Sequence, residues 1–214
     1  MKFMDNAPGD TVVEGGMIRA GFHLRNEGAR DIKRGYLLLG LERSLLELYS
    51  WERGGNQERM TFDLRGKSMI IPDGEETYIF ANIDTKNIGT QREVVETIIS
   101  ATACYDYHTT ATTQICIDTD PYNMRITDKA CTATDVALSS QGAPVAVSLI
   151  NYEVGVSRED QAIKPRFRIK VSNVGNGKII TSGKADVACS AKQLGTDDLN
   201  VIRISAALSE NELI

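Results

Sequence analysis

Val94-Val-Glu-Thr-Ile-Ile-Ser-Ala-Thr-Ala-Cys104 is the stretch of sequence that decides the predicted fold. β-Branched residues, which favour strands, dominate it. Alternate side chains of a strand lie on the same face, and Val95, Ile99 and Ala101 share one face in this way. We therefore expect one face of the strand to be buried and the other to be exposed to solvent. A polar run at residues 108–112 then predicts a turn. Residues 94–118 together predict an antiparallel β-hairpin.

The predicted hairpin also pairs two of the four cysteines. A turn centred on Thr110 places Cys104 opposite Cys116, where cross-strand side chains are close enough for a disulfide. Cys131 and Cys189 form the second predicted disulfide, with a cysteine outside this sequence as an alternative partner of Cys189. Buried free thiols are another reading, and a zinc site has little support because Cys-x-x-Cys is absent. An even number of cysteines in β-rich sequence predicts an extracellular or cell-surface location.

Short runs that alternate apolar and polar residues recur along both halves of the chain. Further strands are predicted at residues 17–24, 35–41, 60–64, 76–80, 145–150, 166–172, 184–189 and 200–208. Residues 42–51 predict a short helix, with a strand as the alternative. The polar sequence 118–123 contains a proline and predicts a linker. We therefore predict an all-β protein of two antiparallel β-sandwich domains, residues 1–122 and 123–214. The second domain lacks a seventh strand, which either a longer chain or a partner would supply.

The overall composition excludes several classes of partner. The 214 residues are 42% hydrophobic and 25% charged, which is ordinary for a globular protein. A net charge of -5 without a Lys/Arg cluster argues against binding to nucleic acid or to an anionic membrane. No stretch approaches the roughly 20 apolar residues that span a bilayer. The first residues lack the apolar core of a signal peptide, so for an exported protein we expect the signal outside this sequence.

One segment is similar in the two halves. Ala20-Gly-Phe-His-Leu-Arg-Asn26-Glu-Gly28 aligns with Phe167-Arg-Ile-Lys-Val-Ser-Asn173-Val-Gly175. Each predicts a strand that ends in Asn-x-Gly, because Asn hydrogen-bonds its own backbone and Gly tolerates positive φ. The shared alternation favours a duplicated module over coincidence.

The second copy of this segment carries a family resemblance. Phe167-x-Ile-x-Val-x-Asn173-x-Gly175-x-Gly177 resembles the signature strand and turn of the cell-adhesion-related, CARDB-like immunoglobulin modules found in tandem on prokaryotic, notably archaeal, surface proteins. The first half departs from this signature, since Arg30 replaces the second glycine. The resemblance implies two tandem immunoglobulin-like domains that act as a spacer, an adhesion element or a subunit of a surface assembly. It implies no catalytic residues.

Catalytic chemistry has no support in the sequence. His23 falls within an alternating strand and His108 at the predicted hairpin tip, and no Gly-x-Ser-x-Gly elbow accompanies them. A Gly-rich phosphate loop is missing as well. We predict that the protein is not an enzyme and holds no cofactor.

Two binding sites are weaker candidates. Asp118 and Asp120 offer hard oxygen ligands for Ca²⁺, although their spacing falls short of a calcium loop and favours an ordinary polar linker. Tyr36, Tyr49 and Trp51 are candidates for a carbohydrate-stacking surface, although such aromatics more often belong to a core. The leading hypothesis is a structural or adhesive module of an exported surface or filament protein, with a protein partner or self-association through sheet edges. The alternative is a carbohydrate- or ligand-binding module.

Overall fold

The computed structural model describes residues 1–54, 59–89, 94–118, 120–124, 126, 128–139, 141–156, 163–190, 192–208 and 211–213. The chain divides into two compact units. Unit 1 comprises Met1–Tyr107 and Lys178–Ile214, and unit 2 comprises His108–Gly177. Unit 2 is therefore inserted in the sequence of unit 1. With 41% strand and 4% helix in antiparallel sheets, the predicted all-β class is confirmed.

Strands account for most of the regular structure. In chain order, the first segment of unit 1 contains β1 (Lys2–Phe3), β2 (Met17–Arg25), β3 (Ile32–Gly40), β4 (Leu46–Trp51), β5 (Arg59–Leu64), β6 (Glu76–Thr85) and β7 (Ser100–Cys104). Unit 2 contains β8 (Val136–Ala137), β9 (Val145–Val156) and β10 (Ile163–Asn173). The second segment of unit 1 contains helix α1 (Ala185–Ala188), a 3₁₀ turn (Thr196–Asp198), β11 (Ala206–Leu208) and β12 (Asn211–Leu213).

Unit 1 is a β-sandwich-like arrangement of two antiparallel sheets around one core. The first sheet has the strand order β1-β2-β6-β4 and the second β5-β3-β7. Alternate side chains of the strands are buried, as period two requires. Ala20, Phe22 and Leu24 of β2 pack in one hydrophobic cluster with Leu37 of β3 and Ile83 of β6. The same cluster contains residues of β4 and β5, so both sheets contribute their inner faces to it.

The turn after β2 is held by the side chain of Asn26, which is 4% exposed. Its Oδ1 accepts a hydrogen bond from the backbone N–H of Gly28 at 3.0 Å. Its Nδ2 donates to the carbonyl oxygens of Arg30 at 2.8 Å and Leu64 at 3.0 Å. A buried amide with these three bonds is well satisfied, so Asn26 fixes the exit from the sheet.

The turn after β10 repeats this local geometry. Asn173 Oδ1 accepts from the N–H of Gly175 at 3.1 Å, and its Nδ2 donates to the carbonyl of Gly177 at 2.9 Å. The acceptor four residues on is a backbone carbonyl, which every residue type has. Arg30 therefore replaces the second glycine of the motif without loss of the hydrogen bond.

Unit 2 is organised by a long hairpin of β9 and β10, and β8 pairs with the other edge of β9. Phe167 lies opposite Tyr152 and Ile169 lies opposite Ile150, so these four side chains share one apolar face. The opposite face of β10 exposes Arg166, Arg168 and Lys170. The half-buried strand predicted at residues 166–172 is confirmed.

Three predicted elements are wrong, and the strand predicted at residues 200–208 is present only as β11. The hairpin at residues 94–118 does not form, because β7 ends at Cys104 and pairs with β3, where Tyr36 lies opposite Cys104. Residues 184–189 contain α1 instead of a strand, in keeping with the high helix propensity of alanine. The helix at residues 42–51 is also wrong, and its alternative, a strand, is present as β4.

The predicted domain boundary differs from the observed division. The units separate after Tyr107 and after Gly177, whereas the sequence places one boundary between residues 122 and 123. Residue 125, beside that predicted linker, lies outside the described residues. One boundary cannot separate the two units, because unit 2 is inserted in unit 1 and the chain returns to unit 1 at Lys178.

Gly74 is a position where we expect substitution to destabilise unit 1. Its φ is +77°, and an added Cβ would lie 1.8 Å from the carbonyl oxygen of Asn26. We expect Gly74→Ala to cost about 3 kcal/mol or more, the sum of left-handed backbone strain and a backbone clash. Denaturant unfolding measures this cost.

Gly54 provides the matched control. Its φ is +79°, and a Cβ added there would have nothing within 4 Å of it among the described residues, so Gly54→Ala reports the backbone strain, about 1–2 kcal/mol. Equal losses for the two variants would contradict the role of the Asn26 contact.

Candidate functional site

The cysteines form two disulfides with a connectivity that differs from the prediction. Cys104 pairs with Cys189 at an S–S distance of 2.08 Å, and Cys116 pairs with Cys131 at 1.97 Å. The predicted pairs Cys104–Cys116 and Cys131–Cys189 are therefore wrong. The predicted register depended on a hairpin about Thr110, and that hairpin is absent because β7 pairs with β3.

The Cys104–Cys189 disulfide tethers the second segment of unit 1 to the sandwich. Cys189 is 0% exposed and lies in a small cluster with Cys104 and Ala185. Its Sγ lies 3.5 Å from the carbonyl oxygens of Tyr36 on β3 and Thr102 on β7. The disulfide thus fixes α1 over the β3–β7 pair.

Arg59 reinforces this tether through its guanidinium group. Nη1 donates to the carbonyl of Asp186, and it lies 3.4 Å from the carbonyl of Cys189. The guanidinium also lies 4.3 Å from the centroid of the Tyr36 ring, a cation–π geometry. A cation beside the final carbonyls of a short helix satisfies groups that lack intrahelical partners. Arg59 therefore holds α1 next to the disulfide.

A groove of about 820 Å³ lies beside this tether on unit 1. Carboxylates line it, and several of them bind the backbone of neighbouring loops. Asp31 Oδ1 accepts from the N–H of Gly66 at 2.9 Å, and Asp106 Oδ1 accepts from the N–H of Gly183 at 2.7 Å. These two carboxylates therefore hold loop backbones at the groove.

Glu75, which also lines the groove, likewise accepts a hydrogen bond from a backbone N–H group. Its Oε2 accepts from the backbone N–H of Arg65 at 2.7 Å, and the Arg65 guanidinium lies 3.3 Å away. These two donors, the backbone N–H first, lower the pKa of Glu75 below its ordinary value. A carboxylate held ionised in this way is poorly suited to serve as a general acid at neutral pH.

The predicted aromatic surface is not assembled. Trp51 is 5% exposed and packs in the core 6.4 Å from the ring of Phe22. Tyr49 is 61% exposed on β4, whereas Tyr36 lies on β3 in the other sheet, beneath Arg59. Residues at adjacent odd positions of a strand share a face, but the bulge between Leu48 and Ser50 interrupts that pattern in β4. The three side chains therefore do not form one stacking platform.

Asp118 and Asp120 do lie together, around an ammonium group of the chain. Lys129 Nζ lies 2.6 Å from Asp118 Oδ2 and donates to the carbonyl of Asp120 at 2.8 Å. Asp118 Oδ1 also accepts from the N–H of Asp120 at 2.8 Å. The hydrogen bond from Lys129, followed by that from Asp120, lowers the pKa of Asp118. Lys129 thus supplies the positive charge at the position considered for Ca²⁺.

This ion pair lies inside the loop that the Cys116–Cys131 disulfide closes. The N–H of Asp118 donates to the hydroxyl of Tyr152 on β9 at 3.3 Å. Asp135 accepts hydrogen bonds from the N–H of Tyr152 and from Asn151, and these lower its pKa. The disulfide therefore closes the loop, and hydrogen bonds of Asp118 and of Asp135, which follows the loop, fasten it to β9.

Of the two histidines, His23 contacts side chains of its neighbouring strand β6. His23 Nε2 is 2.9 Å from Glu76 Oε2, and its ring stacks on Tyr78 at 4.8 Å. His108 is exposed. Within the described ranges, no group of three or more His, Cys, Asp or Glu side chains is arranged to hold a metal ion.

Comparisons with known proteins give no relative. No family model matches the chain, and no curated protein or solved structure is significantly similar to it. Among the residues that the structure describes, no helix has the length and apolarity needed to cross a membrane. Function is therefore inferred from the geometry of the chain's own residues.

Sequence reasoning missed Arg59, Lys129 and Asp106, which hold the two disulfide regions in place. Arg59 and Asp106 act across 127 and 77 residues respectively, and no local pattern indicates such pairs. Lys129 lies 11 residues from Asp118, inside the Cys116–Cys131 loop. Opposite charges between two cysteines that bond to each other could have indicated this ion pair, once the disulfide connectivity was known.

The two disulfides are expected to differ in their contribution to stability. Replacing both Cys104 and Cys189 by Ser opens a cross-link with a sequence separation of 85, against 15 for Cys116 and Cys131. Chain entropy predicts a loss of about 4–5 kcal/mol for the first pair and about 3 kcal/mol for the second. Urea unfolding of the two double-serine variants measures both values. A larger loss for the shorter loop would contradict this order.

The Lys129 contact is expected to control the titration of Asp118. We expect Lys129→Met to raise the pKa of Asp118, because the variant removes the main donor to its carboxylate. The wild-type interaction stabilises the loop at neutral pH, and this stabilisation is lost as pH falls through the depressed pKa. Carbon-detected NMR titration of the carboxyl groups measures the shift. Asp135, whose donors are unchanged, is the internal control, and an unmoved Asp118 would refute the assignment.

Proposed function

We propose that the chain is a non-enzymatic structural or adhesive module of an exported cell-surface or filament protein. The Cys104–Cys189 disulfide is the observation that carries the proposal. It joins two distant segments of unit 1 in a buried cluster, and such covalent bracing is favoured in oxidising compartments. A second disulfide braces unit 2. Two disulfides within a 214-residue chain support a role outside the reducing cytosol.

The strand order supports an immunoglobulin-like interpretation of unit 1. The order β1-β2-β6-β4 has the connectivity of the A-B-E-D sheet of immunoglobulin domains, if β6 is taken as strand E. In the facing sheet, β3 and β7 occupy the places of strands C and F, whereas β5 departs from the pattern on the outer side of β3. The shared Asn26 and Asn173 turns further support the proposed CARDB-like resemblance.

Sheet edges are the surfaces through which such a module would act. β4, β5, β7 and β10 each pair with one neighbour among the described strands. Edge strands offer unpaired backbone groups to a partner strand. Mixed charge in the groove and a net charge of -5 favour a protein partner over nucleic acid or an anionic membrane.

The oxidation state of the native protein tests this proposal. We expect protein isolated from its source cells under acid quench to contain no alkylatable thiol and to gain four labels after reduction. Intact-protein mass spectrometry with and without reductant counts them. A membrane-impermeant amine reagent applied to whole cells is expected to label the protein. Four labels before reduction, or protection in intact cells, would overturn the surface assignment.

A further inference from the structure

Residues 94–99, which lead into β7, resemble a β-strand that has no pairing partner among the described strands. Their sequence, Val-Val-Glu-Thr-Ile-Ile, is dominated by β-branched residues that fit a pleated, half-buried surface. Exposure alternates residue by residue, with Val94, Glu96 and Ile98 exposed and the residues between them half-buried. Ile99 packs against the core of unit 1. The segment thus has the sequence and the alternating burial of a strand.

No strand of the described chain pairs with this segment. β7 begins at Ser100, and its register with β3 ends where Gly40 lies opposite Ser100. Within the described ranges, residues 94–99 take part in none of the backbone hydrogen bonds that link loops and turns. Val94 and Ile98 are each 82% exposed. A strand-forming run without a partner, which also exposes two large apolar side chains, marks a place for another strand.

The segment is held in position by contacts on its inner side. Thr97 Oγ1 donates to Glu42 Oε2 at 3.0 Å, and Ile99 contacts the core. α1 lies at the other end of β7, where Cys189 is bonded to Cys104. Residues 94–99 are therefore in contact with unit 1 through Thr97 and Ile99.

Other edges of the chain carry features that oppose self-pairing. β10 contains Pro165, which lacks an N–H group, and exposes Arg166 and Lys170 along one face. Two β10 strands side by side would bring like charges together. β1 has two residues, and β4 contains a bulge between Leu48 and Ser50. Residues 94–99 have a single charge, Glu96, and no proline.

We propose that a second copy of the chain occupies this edge, by antiparallel pairing of residues 94–99 across a two-fold axis at Thr97. This inference rests on the proposed structural function and identifies residues 94–99 as the surface through which the module self-associates. In that register positions sum to 194, so Val95 lies opposite the partner's Ile99 and Glu96 lies opposite the partner's Ile98. Directly opposed residues share a face, and the burial pattern of the segment satisfies this condition on both faces.

The negative charge of Glu96 favours a two-fold axis at Thr97 over one at Glu96. A two-fold axis at Glu96 would place two like charges directly opposite each other, which is destabilising. With the axis at Thr97, each Glu96 faces an aliphatic side chain, and the central pair is Thr–Thr, a favourable cross-strand combination. The pairing is isologous and closes as a dimer.

Charge substitution at Ile98 tests the contact. The register places residue 98 opposite Glu96 of the second copy, so Ile98→Asp creates two like-charge pairs and Ile98→Lys creates two opposite-charge pairs. We expect Ile98→Asp to raise the dimer dissociation constant roughly tenfold or more, and Ile98→Lys to raise it less. Sedimentation equilibrium over a range of concentrations measures both. Met69→Asp, at a side chain that is 102% exposed in another loop, is the matched control and is expected to leave the constant unchanged.

Cross-linking tests the register independently. Thr97→Cys brings two thiols face to face in the proposed dimer, at a separation that suits a disulfide. Mild oxidation is expected to give a covalent dimer on non-reducing gels. Ser68→Cys, exposed in a different loop, is expected to give no covalent dimer under the same conditions.

The outcomes separate this inference from the proposed function. A chain that is monomeric at all concentrations, a dimer indifferent to Ile98→Asp, or a dimer in which Thr97→Cys fails to cross-link would overturn the proposed pairing. None of these results changes the thiol count of the native protein. Conversely, reduced cysteines in native protein would overturn the surface function and leave the measured dimer intact.

Discussion

The Cys104–Cys189 disulfide is the constraint on which the architecture of unit 1 depends. It connects β7 to the segment that follows the inserted unit, and a covalent bond restricts the unfolded chain far more than any single noncovalent contact between these segments. α1 has four residues, too few for a stable helix by itself. Its position follows from the disulfide, from Arg59 and from the Asp106 contact to Gly183.

Unit 2 uses the same strategy at shorter range. The Cys116–Cys131 disulfide closes a loop that contains the Asp118–Lys129 ion pair. Tyr152 links this loop to β9. The three-stranded sheet of unit 2 has a half-buried apolar face, and small sheets of this kind need additional bracing. Disulfide and ion pair supply it.

These features agree with the proposed structural function, in which surfaces and strand edges make the contacts. Carboxylates in the groove bind loop backbones, and the aromatic residues considered for ligand stacking are distributed between the core and two different sheets. Among the described strands, none pairs with the strand-forming run at residues 94–99. Its pairing with a second copy would extend the second sheet of unit 1 across a dimer.

The sequence by itself determined the all-β class, the antiparallel strands and the Asn-x-Gly turns, because period-two alternation and turn chemistry are local properties. It also indicated that residues 94–104 prefer an extended conformation. Tertiary structure decided which strand β7 joins, and with it the partners of Cys104 and Cys116. Tertiary structure also decided that Trp51 is buried, that residues 184–189 contain α1 instead of a strand, and that the chain returns to unit 1 after unit 2. These outcomes depend on contacts between residues far apart in sequence, where packing against β3 and a buried disulfide outweigh the local preference for a hairpin.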